Sequence, residues 1–176
     1  MVKKIAIAML CTALSSSLYA RNISEGEKFI GLEVSATEVQ GDVGGILGEL
    51  DHKETGVEFG LRIGAQLDQW RSMLLLNYFD EGDQNTEKLQ VSVDYFFLNS
   101  TEEQTYFKPY LGVNAGYMNY ESTGVDESGF LYGAQAGFVV EVMEHIDVDL
   151  SYRYSLSTAD KFDHTGGVIF GINYLY

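Results

Sequence analysis

The chain has 176 residues, room for one domain and too little for two full-sized ones. With 26 acidic against 11 basic residues and a net charge of −15, it is excluded as a nucleic-acid binder, whose surface must answer phosphates with lysine and arginine. One cysteine rules out an internal disulfide, and after residue 20 no run of 18 apolar residues is present to cross a bilayer as a helix.

Residues 1–20 read as a secretory signal: Lys3 and Lys4, an apolar run over 5–14, then a small polar tail ending at Ala20. Cleavage after Ala20 removes Cys11, and the bulky Leu10 before that cysteine argues against a lipoprotein. The mature domain is then 21–176.

From Lys28 onward the dominant pattern is strict alternation, the period of a strand with two unlike faces. Ile30, Leu32, Val34 and Ala36 alternate with Gly31, Glu33 and Ser35. The clearest segment follows, with Val57, Phe59, Leu61, Ile63, Ala65 and Leu67 set against Glu58, Gly60, Arg62, Gly64 and Gln66. In the third, both rows are apolar around Met73 and Leu75; Trp70, Leu74, Leu76 and Tyr78 go to the apolar face, Arg71 and Asn77 to the other. The fourth opposes Leu89, Val91, Val93, Tyr95 and Phe97 to Gln90, Ser92 and Asp94. Leu111 to Tyr117 and Tyr132 to Val140 supply the fifth and sixth, with glycines on the polar row. Ile146, Val148, Leu150, Tyr152 and Tyr154 against Asp147, Asp149, Ser151 and Arg153 form the seventh. Val168, Phe170, Ile172, Tyr174 and Tyr176 end the chain as the eighth. Short turns are expected at 68–69 and 143–145, and long loops at 39–55, 80–87, 119–128 and 157–165. The connection over 99–107 fits neither class.

The composition of the rows sets their orientation. A soluble barrel would show its polar row to water, and roughly a quarter to a third of it would be charged. Here that row is rich in Gly, Ser, Asn and Gln, which suits the narrow interior of eight strands. The apolar row carries no charge in any segment, and its aromatic residues gather at strand ends, as an interfacial girdle requires. The expectation is an all-β, eight-stranded antiparallel up-and-down transmembrane barrel. Leu61, Val93, Leu150 and Ile172 should face outward, and Glu58, Arg62, Asp94 and Arg153 inward.

The inward charges are the first candidate site: Glu58, Arg62, Arg71, Asp94, Lys108, Glu141, Asp147, Asp149 and Arg153, with Glu33 and Lys88. They fit either an ion path or a packed plug of mutually neutralised charges. The plug is preferred, because eight strands leave no continuous aqueous lumen. The loops are acidic at Glu49, Asp51 and Glu54, at Asp80, Glu81, Asp83 and Glu87, and at Glu121, Asp126 and Glu127. Clustered carboxylates suit calcium or magnesium, but the spacing matches no defined calcium loop, so solvated acidic loops are the reading and no metal or cofactor is expected. His52, His145 and His164 are the three histidines, and no serine lies on a recognisable nucleophile motif, so no catalysis is expected.

PYLGVNAGY (109–117), GAQAGFVVEV (133–142), LSYRY (150–154) and the terminal GINYLY (171–176) resemble the later strands of the outer-membrane barrels typified by the OmpA transmembrane domain, OmpX and the opacity-type adhesins. The resemblance spans about 28–176. It implies a location in the outer membrane of a Gram-negative bacterium, among lipid and lipopolysaccharide. It further implies that Phe170, Ile172, Tyr174 and Tyr176 form a C-terminal signal read by the barrel-assembly machinery. No peptidoglycan-binding domain is expected after the barrel, so that anchoring role is not carried over. A structural or surface-interaction role through the acidic loops is expected, with an unknown surface ligand; the alternatives are a small-solute or ion channel and a lipid-modifying enzyme.

Overall fold

The computed structural model describes residues 26–45, 48–81, 84–97, 107–122, 125–159 and 162–176. Within these, side chains at 39–45, 48–55, 80–81, 84, 122, 125–126 and 162 fall outside the description. The expected signal segment and most of the 99–107 connection also lie outside the described residues.

The alternating segments become eight strands: β1 (Glu27–Gly45), β2 (Gly48–Leu67), β3 (Trp70–Glu81), β4 (Gln84–Phe96), β5 (Phe107–Ser122), β6 (Val125–Met143), β7 (Ile146–Ala159) and β8 (Phe162–Leu175). Each pairs antiparallel with the next, and β8 returns to β1, so the sheet is a closed barrel with no free edge. Closure reaches the chain end, where Tyr176 N–H donates to the Lys28 carbonyl at 2.8 Å and Lys28 N–H to the Tyr176 carbonyl at 3.3 Å. Nearby on the same rim, β2 and β3 join through the two-residue turn Asp68-Gln69. Asp68 takes a left-handed conformation there (φ 52°), which aspartate tolerates better than most side chains. Glu144 and His145 make the second short turn.

At the other rim the structure corrects the expected loops. The ladder continues through most of 39–55, from the Val39–Glu54 pair up to Gly45 and Gly48. The remaining three hairpins likewise pair up to Glu81 and Gln84, Ser122 and Val125, and Ala159 and Phe162. Backbone pairing needs no apolar row, so a hairpin can extend beyond a membrane into water even where its residues are acidic or glycine. The strands, 12 to 20 residues long, therefore exceed the ~9–11 residues a tilted crossing requires.

Alternation sorts side chains as expected. Leu32 is 67 % exposed and Val113 63 %, whereas Asp94 and Asp149 are 0 % exposed. Val93, Leu150 and Ile172 face outward and Leu61 is half-exposed; Glu58, Arg62, Asp94 and Arg153 are enclosed. The inner row is less polar than its sequence description. Phe29, Met73, Leu75 and Leu175 pack together inside, as do Phe96, Tyr110 and Val139. A third inner cluster joins Phe79, Met118, Tyr120 and Leu131 toward the hairpin rim. This is why β3 has two apolar rows: one faces out, and the other builds the core.

Candidate functional site

Between these apolar clusters the inward charges form a closed ring. Arg62 on β2 donates from Nε to Glu33 of β1 at 2.8 Å, and its Nη1 lies 3.4 Å from Asp149 of β7. Arg71 on β3 donates to Asp149 and, through Nε, to Asp94 of β4, each at 2.8 Å. Gln135 on β6 carries the chain onward, donating to Asp94 at 2.6 Å and accepting from Arg153 Nε at 2.9 Å. Arg153 Nη1 then returns to Glu33 at 3.0 Å. Three guanidiniums meet three carboxylates, so the ring is neutral and ties β1, β2, β3, β4, β6 and β7 together. From β5, the Tyr110 hydroxyl donates to Asp149 at 3.1 Å, and its ring lies under the Arg71 guanidinium, 4.4 Å from the centroid.

Glycines make room for this ring. A Cβ on Gly171 of β8 would stand 2.4 Å from the Arg62 guanidinium carbon, and one on Gly112 would stand 1.9 Å from Asp94 Oδ1. An added methyl at either position would therefore push a member of the ring out of its place.

Of the nine inward residues picked out in the sequence, Arg62, Arg71, Asp94, Asp149 and Arg153 sit in the ring. Glu58 lies beyond it and accepts from Lys88 Nζ at 2.6 Å. Lys108 pairs with Glu141 at the turn rim, where Asp147 stands in register with Glu141. Sequence reasoning missed Gln135 and Tyr110, because neither carries a charge that demands a partner. A void of about 20 Å³ lies in this interior beside Lys88, Glu58 and Thr165, enough for one water.

The remaining candidates are scattered. Glu87 and Glu121 are exposed toward the hairpin rim, while the side chains of Glu49, Asp51, Glu54, Asp80, Glu81, Asp83 and Asp126 lie outside the description, as does that of His52. His145 is exposed in its turn. The His164 ring packs on Tyr154 at 5.2 Å on the outer wall, whereas Ser155 is buried inside, so these two groups stand on opposite sides of the sheet. Among the described residues no three His, Cys, Asp or Glu side chains are grouped to hold a metal.

The outer surface decides the solvent. Phe59, Leu76, Val113, Phe170 and Ile172 all project outward from a sheet whose ring of ion pairs is inside. Trp70, Tyr95 and Phe97 stack edge to face near the turn rim, with centroids 5.0 and 5.9 Å apart. Tyr78, Tyr117, Phe130, Tyr132, Tyr152 and Tyr154 make an upper belt. An apolar band between two aromatic girdles belongs to a bilayer, where a sheet must close because lipid offers its backbone no partner. The chain folds as an eight-stranded outer-membrane β-barrel.

Solved structures agree with this fold. Neisserial surface protein A superposes with a TM-score of 0.65 at 19 % identity, covering 85 % of this chain and 99 % of that one. Outer membrane protein H of P. aeruginosa gives 0.60 at 18 %, covering 85 % and 99 %. The outer membrane enzyme PagL gives 0.52 at 12 %, covering 83 % and 98 %. No family model and no curated protein matches the sequence. The barrel thus shares its architecture with a surface protein and with an enzyme alike, and the fold alone assigns neither activity.

Proposed function

We propose that this protein is a non-catalytic, non-conducting barrel of the Gram-negative outer membrane that acts by presenting its acidic hairpin ends at the cell surface. The observation that carries this reading is the filled interior. Among the described residues, a neutral ring of ion pairs is flanked by Phe96, Tyr110 and Val139 toward one rim and by Phe79, Met118, Tyr120 and Leu131 toward the other, packing that supports a closed rather than a conducting bore. With the bore closed and the wall turned to lipid, the hairpin ends are the part free to meet a partner. Their carboxylates favour a basic or cation-bridged surface, lipopolysaccharide phosphates bridged by divalent ions included. Phe170, Ile172 and Tyr174 on β8 and Tyr176 just after it are all exposed outward, an arrangement that supports recognition of this strand by the assembly machinery after export directed by residues 1–20.

Two measurements test the proposal. In planar bilayers the purified protein should give no stable unitary openings; reproducible openings would establish the channel reading instead. Cells displaying the protein should bind a basic surface more than cells displaying a variant with Glu49, Asp51, Glu54, Glu121 and Glu127 changed to Gln or Asn. Equal binding by both would sink the surface role.

A further inference from the structure

The inward charges of the described residues leave one carboxylate over. The ring is neutral, Lys88 answers Glu58, and Lys108 answers Glu141. Asp147 on β7 remains. It is 5 % exposed, and among the described residues it is the buried carboxylate with neither an ion pair nor a hydrogen bond. The run 148–156 of β7 already supplies the ~9–11 residues of a tilted crossing, so Asp147 stands on the rim side of the lipid band, two residues from His145 in the turn. Water reaches this mouth, since the Glu141 side chain in register with Asp147 is 38 % exposed.

The surroundings hold little compensation. Lys108 on β5, Glu141 on β6, Arg71 on β3 and Glu27 on β1 are the charged groups that act on Asp147. Lys108 is held by Glu141, and Arg71 by Asp94 and Asp149. Glu144 and His145 in the adjoining turn are exposed. Burial pushes the Asp147 carboxyl up to about 6; Lys108 opposes this, Glu141 adds to it, Arg71 opposes it and Glu27 adds again. Across the next ladder stands Asn173 of β8, which has the complementary defect. It is 3 % exposed, and among the described residues its Oδ1 accepts no hydrogen bond. Inward side chains directly opposed on antiparallel strands have Cβ atoms about 4.5–5.5 Å apart, a span that a carboxyl and an amide can bridge. An ionised carboxylate only accepts hydrogen bonds and offers that oxygen nothing; a protonated one donates.

We propose that Asp147 is a proton-operated latch at the turn rim, whose O–H, once protonated, donates to Asn173 Oδ1 and ties β8, the strand that closes the barrel, to β7. Loss of the proton breaks that bond and leaves Asp147 and Glu141 as like charges side by side across β6 and β7. The latch depends on the barrel fold alone, so the outcome of the adherence test does not bear on it. A carboxyl in the unfolded chain titrates near 3.9, below the folded group. The folded barrel therefore holds the extra proton between about pH 4 and about pH 6, and its stability falls as pH rises through that window.

Urea unfolding of the purified barrel in lipid vesicles, followed by Trp70 fluorescence, tests the latch. From about pH 8 to about pH 5 the folded-to-unfolded ratio of the unaltered protein should rise about tenfold more than that of Asp147→Asn, in which the other carboxylates still titrate. Glu141→Gln should also remove the excess, because Lys108 is then free to pair with Asp147 in its charged form. Carbon-13 NMR of labelled aspartate carboxyls needs no variant, and one of them should titrate near pH 6. Identical pH dependence in the unaltered protein and Asp147→Asn would overturn the latch, as would the absence of any aspartate titrating above about pH 5. A loss of stability in acid that requires Asp147 would overturn it too, and would assign Asn173 Nδ2 as a donor to the ionised carboxylate.

Discussion

A methyl group at position 171 is enough to challenge the ring, since it would stand 2.4 Å from the carbon of the Arg62 guanidinium. Gly171→Ala should therefore destabilise the folded barrel by about 1–3 kcal/mol, the usual range for overpacking, measured by urea unfolding through fluorescence of Trp70, the single tryptophan. Removing a charge should cost more. Arg71→Leu strips both Asp94 and Asp149 of a guanidinium 2.7–2.8 Å away and leaves two buried carboxylates under-compensated. A loss of about 3–5 kcal/mol is expected in the same assay, and a change within 0.5 kcal/mol would mean that water already reaches the ring. The partial legibility of this site has a physical reason. Charged residues on an inward row must find partners, so Arg62, Arg71, Asp94, Asp149 and Arg153 could be singled out from alternation alone. Gln135 and Tyr110 bridge just as closely, but an amide or phenol is also at home on a surface, and no pattern in the chain marks them.

At the scale of the strand, the outward row is tuned to depth. Val113 on β5 pairs with Val93 on β4, well inside the band between the girdles, while Phe97 lies by the turn rim. Val113→Arg should cost about 2–4 kcal/mol and Phe97→Arg no more than about 1 kcal/mol, compared by unfolding in lipid vesicles. Equal penalties would mean that the band is not where the girdles place it. Strand identity was legible wherever burial in lipid forced one row to be apolar, which holds for all eight crossings. It was not legible over 39–55, where hairpin pairing continues after lipid has ended and no row is constrained. The sequence signal at Met73 and Leu75, two apolar rows in one strand, marks the reverse case: the inner face had its own hydrophobic work, repeated at Val139 and Ile169 without so clear a sign.

For the whole molecule, the packed interior among the described residues and the lipid-facing wall are what the proposed non-conducting, surface-presenting role rests on. Its closure depends on the union of its first and last strands, which pair from Phe29 with Leu175 through Gly41 with Phe162. Deleting 171–176 should abolish the heat-modifiable form on gels, because β1 and β7 would then lose partners along their lower halves. That joint between the ends imposes an order on biogenesis. A polypeptide halted before its final segment cannot settle as a smaller barrel, since it keeps two unsatisfied margins that lipid will not solvate and that invite pairing with other chains. Until β8 has emerged, the polypeptide must be held apart from its neighbours in the aqueous compartment it crosses. The architecture thereby inspects its own assembly: only a chain delivered through β8 can seal its first strand.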